Sequence, residues 1–237
     1  MIGPLPIAPG GFTHILVAVD KFTKWIEYKL ITKISSDRAM DFIYDILHRF
    51  SFPNTIITDL GSNFTSQTFW DFCDNAGINI NYASVAHPRA NGQVKRINGL
   101  IVDGLKKRIY DESTKKGGRW IYEPPLVVWG IRTQPSKATG QTPFFLVYGS
   151  EAILPTDIMW KSPRLEMYDA LEADGSRQLK LDSIEEVRCN ALLHSARYLQ
   201  SIRRYHDRNI QERSFNVGDM VLRRIQDETR LHKLNSR

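Results

Sequence analysis

The chain has 237 residues, 42% of them hydrophobic, enough for one or two domains with a sizeable buried core. No run approaches the roughly 18 to 20 apolar residues of a spanning helix, and the opening MIGPLPIAPGG lacks the basic start and apolar run of a signal peptide. The sequence therefore reads as intracellular, with no membrane partner. Cys73 and Cys189 stand far apart and without paired histidines, which excludes a disulfide framework or a zinc site and leaves both as small apolar residues. A net charge of +6 suits a polyanionic partner, and its distribution says more than its sum. Lys95, Arg96, Lys106, Lys107, Arg108, Lys115, Lys116 and Arg119 crowd one segment, and Arg197, Arg203, Arg204, Arg208 and Arg213 another.

In chain order, the Pro- and Gly-rich start reads as an extended lead-in. HILVAVD, with β-branched Ile15, Val17 and Val19 in an apolar run, predicts a strand buried on both faces that ends at Asp20. KFTKWIEYKLI alternates and predicts an antiparallel neighbour. SSDRAMDFIYDILHRF predicts a helix capped by Ser35 or Ser36, with Ala39, Phe42, Ile43, Ile46 and Leu47 on one face. After Phe52-Pro53, NTIITD is a second central strand, closing on Asp59. SQTFWDFCDNAG is a short helix ended by Gly77, and ININ a further strand. Asn91 caps a helix in which Val94, Ile97, Ile101, Leu105 and Ile109 recur at helical spacing, with Lys95 one residue off that face. RWIYEPPLVVWGIR and TPFFLVYG predict two more helices. A long helix is expected from Leu181 to about Gln211, striped with Ile184, Val187, Ala191, Leu192, Ala196, Leu199 and Ile202. FNVGDMVLRRI ends the chain as a turn and a strand that has no partner of its own.

Two aspartates, each terminating a buried strand, are the first chemical signal. Asp20 and Asp59 can share Mg²⁺ if their strands are adjacent, although an aspartate after a strand is more often a turn residue. The surrounding residues extend this. IGPLP, LVAVDKFTKWIE, IITDLGSNFTS, AHPRANGQVKRING, WGIRTQPSKATGQTPFFLVYG and FNVGDMVLRR resemble the integrase family of plant Ty3/gypsy-type long-terminal-repeat retrotransposons, related to retroviral integrases. The resemblance implies an RNase H-like core, a mixed five-stranded sheet flanked by helices. It also implies two aspartates and a glutamate that bind Mg²⁺ or Mn²⁺ for transesterification of DNA. Under it, Asp20 and Asp59 are the metal aspartates, and the glutamate falls after thirty-five intervening residues, where this chain has Lys95. Leu60 replaces the asparagine usual after the second aspartate. An ammonium donates hydrogen bonds but ligates no cation, so Lys95 is expected to pair with Asp20 and Asp59 in place of the missing ion charge.

The resemblance also assigns nucleic-acid contacts to Asn91, Gln93, Arg96, Lys106 and Lys107, with DNA and self-association as partners and the nucleus as location. The implied organisation is an integrase core over 1–160, a linker with the long helix over 161–212, and over 213–237 a fragment of an SH3-like β domain. The zinc-binding domain that usually precedes such a core has no counterpart in this sequence. Three readings stay open: a catalytically defective integrase-like, DNA-binding protein; a working Mg²⁺-dependent polynucleotidyl transferase or endonuclease; and a non-enzymatic DNA-binding or dimerising protein. An RNase H nuclease fits less well, because HPRANGQ and TPFFLVYG match integrases.

Overall fold

The computed structural model describes residues 1–83, 92–109, 120–162 and 170–208, with Asn216, Gly218 and Met220; for 170–174 and 176–181 it describes the backbone alone. The described residues divide into two compact units, one holding Met1–Arg132 and one holding those between Thr133 and Met220.

The first unit is built on two strand pairs. β1 (His14–Val19) and β2 (Ile26–Ile31) run antiparallel, His14 opposite Ile31 and Val19 opposite Ile26. Ile15 and Leu16 point to opposite faces, as strand geometry requires, and both are buried in different apolar clusters. One face meets Ile97, Ile101 and Leu105 of helix α3 (Gly92–Ile109). The other meets Phe42 of helix α1 (Ser36–Phe50). The expected two-sided burial of β1 is therefore found. β3 (Thr55–Thr58) and β4 (Asn79–Tyr82) run parallel and are joined through α2 (Gln67–Asn75), the helical crossover that parallel strands need. Ala39, Ile43 and Leu47 of α1 pack with Phe69 and Cys73 of α2 in a third cluster.

Local chemistry sets the helix starts. Ser35 Oγ accepts from the Arg38 N–H at 3.3 Å and Ser66 Oγ from the Phe69 N–H at 3.2 Å, each satisfying a donor that a helix N-terminus leaves open. A 3-10 turn at Trp120–Tyr122 leads into α4 (Pro124–Arg132), whose prolines occupy the first turn, where a missing N–H costs nothing.

Two expectations about the strands are corrected, their number and the adjacency of those that end at Asp20 and Asp59. The five-stranded sheet is not what the described residues form: they carry four strands in two separate pairs. The expected extended lead-in pairs with β1. Ile2 and Ile15 exchange backbone bonds of 2.8 and 2.9 Å, the Leu5 N–H reaches the Thr13 carbonyl at 2.8 Å, and Ile2 and Leu5 are fully buried. Residues 2–8 thus line the edge of β1 not used by β2. Asp20 consequently ends a strand whose neighbours are β2 and the lead-in, while Asp59 follows a strand paired to β4. The expected adjacency of their two strands is absent.

The second unit contains α5 (Pro143–Tyr148), α6 (Pro155–Met159) and α7 (Ala170–Arg208). Thr142 caps α5 through the Phe145 N–H at 3.0 Å, and Gly149 closes it in the left-handed conformation. α7 begins before the expected Leu181 and, among the described residues, runs to Arg208. Of its anticipated stripe, Ile184 and Ala191 are buried, whereas Leu192 and Leu199 are about half exposed. The terminal strand expected beyond 213 lies outside the described residues, apart from three isolated positions.

Candidate nucleic-acid interface and the carboxylate positions

Asp20 is exposed, and its Oδ2 accepts three bonds from its own turn: the Phe22 N–H at 3.1 Å, the Thr23 N–H at 2.6 Å and the Thr23 hydroxyl at 2.8 Å. This is a capped turn of the kind aspartate forms where a strand stops. The α3 helix reaches the same turn through Gln93, which donates from Nε2 to the Asp20 carbonyl at 3.1 Å and accepts Lys24 Nζ at Oε1, 3.2 Å away. Lys24 also bonds the Lys21 carbonyl. Burial lowers the Lys24 pKa; the Asp20 charge opposes that shift and the Lys21 charge adds to it. Both polar ends of Gln93 therefore bond within the protein and brace α3 against the β1–β2 turn.

Asp59 is exposed too, and its Oδ1 accepts the Gly61 N–H at 3.2 Å. Gly61 suits this turn because an added Cβ would stand 2.9 Å from Asn63 Oδ1 and 3.0 Å from Asp59 Oδ1. Around it, Thr58 Oγ1 and Asn63 Nδ2 are buried with no partner among the described residues. Leu60, where asparagine was expected, is 57% exposed and contributes no polar group.

Lys95 sits in the first turn of α3, exposed, and forms no ion pair or hydrogen bond with any described residue. The expected pairing with Asp20 and Asp59 is thus corrected: no hydrogen bond or ion pair joins any two of the three. The reason is exposure, because a solvated ammonium gains little from a surface carboxylate and loses side-chain entropy in holding one. A two-metal centre needs carboxylates that clamp two dications roughly 4 Å apart. Asp20, half committed to its turn, Asp59 and an ammonium do not fit that requirement.

Further along α3 stand the other basic residues. Lys106 is half-buried, Lys107 is exposed, and neither has a partner among the described residues. Arg108, beside them, is engaged by Glu123 at 2.5 Å, so the two lysines are the cations left open in the last turns of this helix. Arg96 is exposed at the other end of the helix. Asn91, and the His87-Pro88 pair before it, lie outside the described residues.

Sequence reasoning missed a buried ionic group. Glu27 is 6% exposed and accepts Trp25 Nε1 at 2.7 Å, Arg49 Nη1 at 2.6 Å and Arg132 Nη2 at 3.1 Å, while the Arg132 guanidinium lies 4.1 Å over the Trp25 ring. An acid between Ile26 and Tyr28, in the strand paired with β1, was the available signal.

A two-faced strand ribbon between helices, with a carboxylate turn after a parallel strand and a basic helix across one face, makes this a mixed α/β domain. Residues 2–88 match the family model described as the integrase core domain. The Pro-Pol polyprotein of simian foamy virus type 3 is 30% identical over 94% of this chain, and the Gag-Pol polyprotein of avian reticuloendotheliosis virus is 30% identical over 60% of it. The chain spans 17% and 12% of those relatives' lengths. A chain of the simian T-cell lymphotropic virus intasome, solved in complex with a PP2A regulatory subunit, superposes with a TM-score of 0.51 at 20% identity, covering 65% of this chain and 59% of that one. That likeness concerns the fold.

Proposed function

We propose that this chain is the integrase-core part of a plant Ty3/gypsy-type retrotransposon polyprotein, RNase H-like in architecture, which binds DNA in the nucleus but does not catalyse strand transfer. The observation that carries the reading is Lys95, exposed on the first turn of α3 at the place where the resemblance implies a metal-binding carboxylate. The committed oxygen of Asp20 supports it further; in this reading Asp20 and Asp59, both exposed, shape the turns that follow their strands. Lys106 and Lys107 meet phosphates as point charges, which positions a duplex without reading its sequence.

The test is a paired assay of the natural chain and Lys95→Glu on short end-mimicking duplexes, in Mg²⁺ and in Mn²⁺, alongside calorimetric titration of each ion. The natural chain is expected to show duplex binding, weak ion uptake and no end trimming. The variant should gain ion binding without recovering turnover, because a carboxylate replaces the ammonium while Asp20 remains tied to its turn. Cleavage by the natural chain that Asp59→Asn abolishes would establish the second reading, a working metal-dependent nuclease.

A further inference from the structure

Helix α7 carries two unlike faces within its own unit. One is used: Ile184 and Ala191 are buried, Arg188 Nη2 donates to the Leu146 carbonyl at 3.2 Å, and His194 Nδ1 meets the Ala138 carbonyl at 3.1 Å. Roughly 120° around the helix, at 100° per residue, runs a second line: Glu185, Cys189, Leu192, Ala196, Leu199 and Arg203. Its steps of four, three, four, three and four residues are those of a two-helix seam. All six are exposed, Leu192 by 52% and Leu199 by 50%, with Leu193 beside them at 58%. Leu193, Ala196, Leu199 and Arg203 also help to line a shallow depression on this surface.

We propose that this line is an interface for α7 of a second copy of the chain, laid antiparallel about a two-fold axis at position 194. The charge pattern selects both occupant and direction. Of the side chains described on α7, the first stretch holds Asp182, Glu185 and Glu186 against Arg188, and the last holds Arg197, Arg203, Arg204 and Arg208 against Asp207. A nucleic acid or an anionic membrane along the seam would meet the acidic end, and a parallel copy would set like ends together. An antiparallel copy places Glu185 opposite the partner's Arg203, Cys189 opposite its Leu199, and Leu192 opposite its Ala196. Every residue of the line then has a counterpart, as an isologous contact demands. Arg203 has no partner among the described residues, and Glu185, bonded to Arg188 at 3.0 Å, stays 76% exposed at its side chain and open to a second cation.

The register is tested in the full chain with a short bis-maleimide. In the antiparallel seam two Cys189 residues stand about 15 Å apart along the axis, ten residues at 1.5 Å each, whereas Cys189 faces the partner's position 199. The Leu199→Cys variant is expected to give a covalent dimer and the natural chain little. Reversing one end, Glu185→Arg or Arg203→Glu, should raise the dimer dissociation constant roughly tenfold, since two exposed ion pairs per dimer become repulsions, and combining both should restore it. Cross-linking of the natural chain as efficiently as Leu199→Cys would overturn the antiparallel register. A combined variant no tighter than either single reversal would overturn the pairing itself. Both measurements omit DNA and metal, so they fail or succeed independently of the reading above.

Discussion

At the residue scale, the environment of each group decides what it does more firmly than its type. The two cysteines show this. Cys73 is 1% exposed inside the α1–α2 cluster, and burial pushes its thiol pKa up, whereas Cys189 is exposed on α7. Thiolate is the reactive form, so a raised pKa and a closed site both protect Cys73 at mildly alkaline pH. Alkylation of the folded chain should therefore modify one thiol, Cys189, with Cys73 reacting only on unfolding; mass analysis of labelled peptides checks this. Glu27 makes the converse case, a charge kept buried because three donors surround it. Glu27→Ala should destabilise the chain by about 3 kcal/mol, since it strands Arg132 in a confined site, with the half-exposed Arg49 contributing little because water replaces its partner. Urea unfolding of Glu27→Ala beside the milder Glu27→Gln gives the comparison. Neither the Glu27 group nor the brace formed by Gln93 was legible in the sequence. Both depend on long-range neighbours, Arg132 more than a hundred residues away in one case and the Asp20 turn in the other.

At the element scale the sequence was far more transparent, because caps and periodicity act within a turn or two. Ser35, Ser66 and Thr142 cap the helices they precede, and Ile97, Ile101 and Leu105 are the buried face of α3. The lead-in is extended, as expected; its pairing with β1 was not legible. Ile2 and Leu5 are buried while their N–H groups bond β1. Proline is compatible with such an edge, where one side of the strand needs no donor. The same helix α3 offers a paired prediction about glycine. At Gly99 nothing lies within 4 Å of an added Cβ, whereas at Gly104 it would stand 2.7 Å from Val127 Cγ1 of α4. Gly99→Ala should stabilise by roughly 0.5–1 kcal/mol through the backbone entropy that glycine loses. Gly104→Ala should instead cost about 1–3 kcal/mol, because the α3–α4 packing has no room for the methyl group. Opposite shifts in the urea midpoint for one substitution in one helix would separate propensity from packing.

At the scale of the whole molecule, the motifs marked the family region while the geometry of the carboxylates had to be seen. Strand order is set by pairings distant in sequence, and a strand-end aspartate looks the same whether it caps a turn or holds an ion. What remains at this scale is a cationic helix face on a domain related to integrases, and its consequence is electrostatic. Lysines on phosphates release condensed counterions, so log affinity for duplex DNA should fall linearly with log salt. Lys106 and Lys107 are free cations near the end of that helix, where Arg108 is held by Glu123. Changing both to alanine should weaken binding to unrelated duplexes to a similar degree and make the salt slope shallower by about two, roughly one for each ammonium withdrawn from a phosphate. Arg108→Ala should change the slope much less, because its charge is already answered within the protein. Fluorescence anisotropy at several salt concentrations measures all three chains. An unchanged slope in the double variant would move the interface off α3, and weakening confined to one duplex sequence would mean that these lysines take part in reading bases.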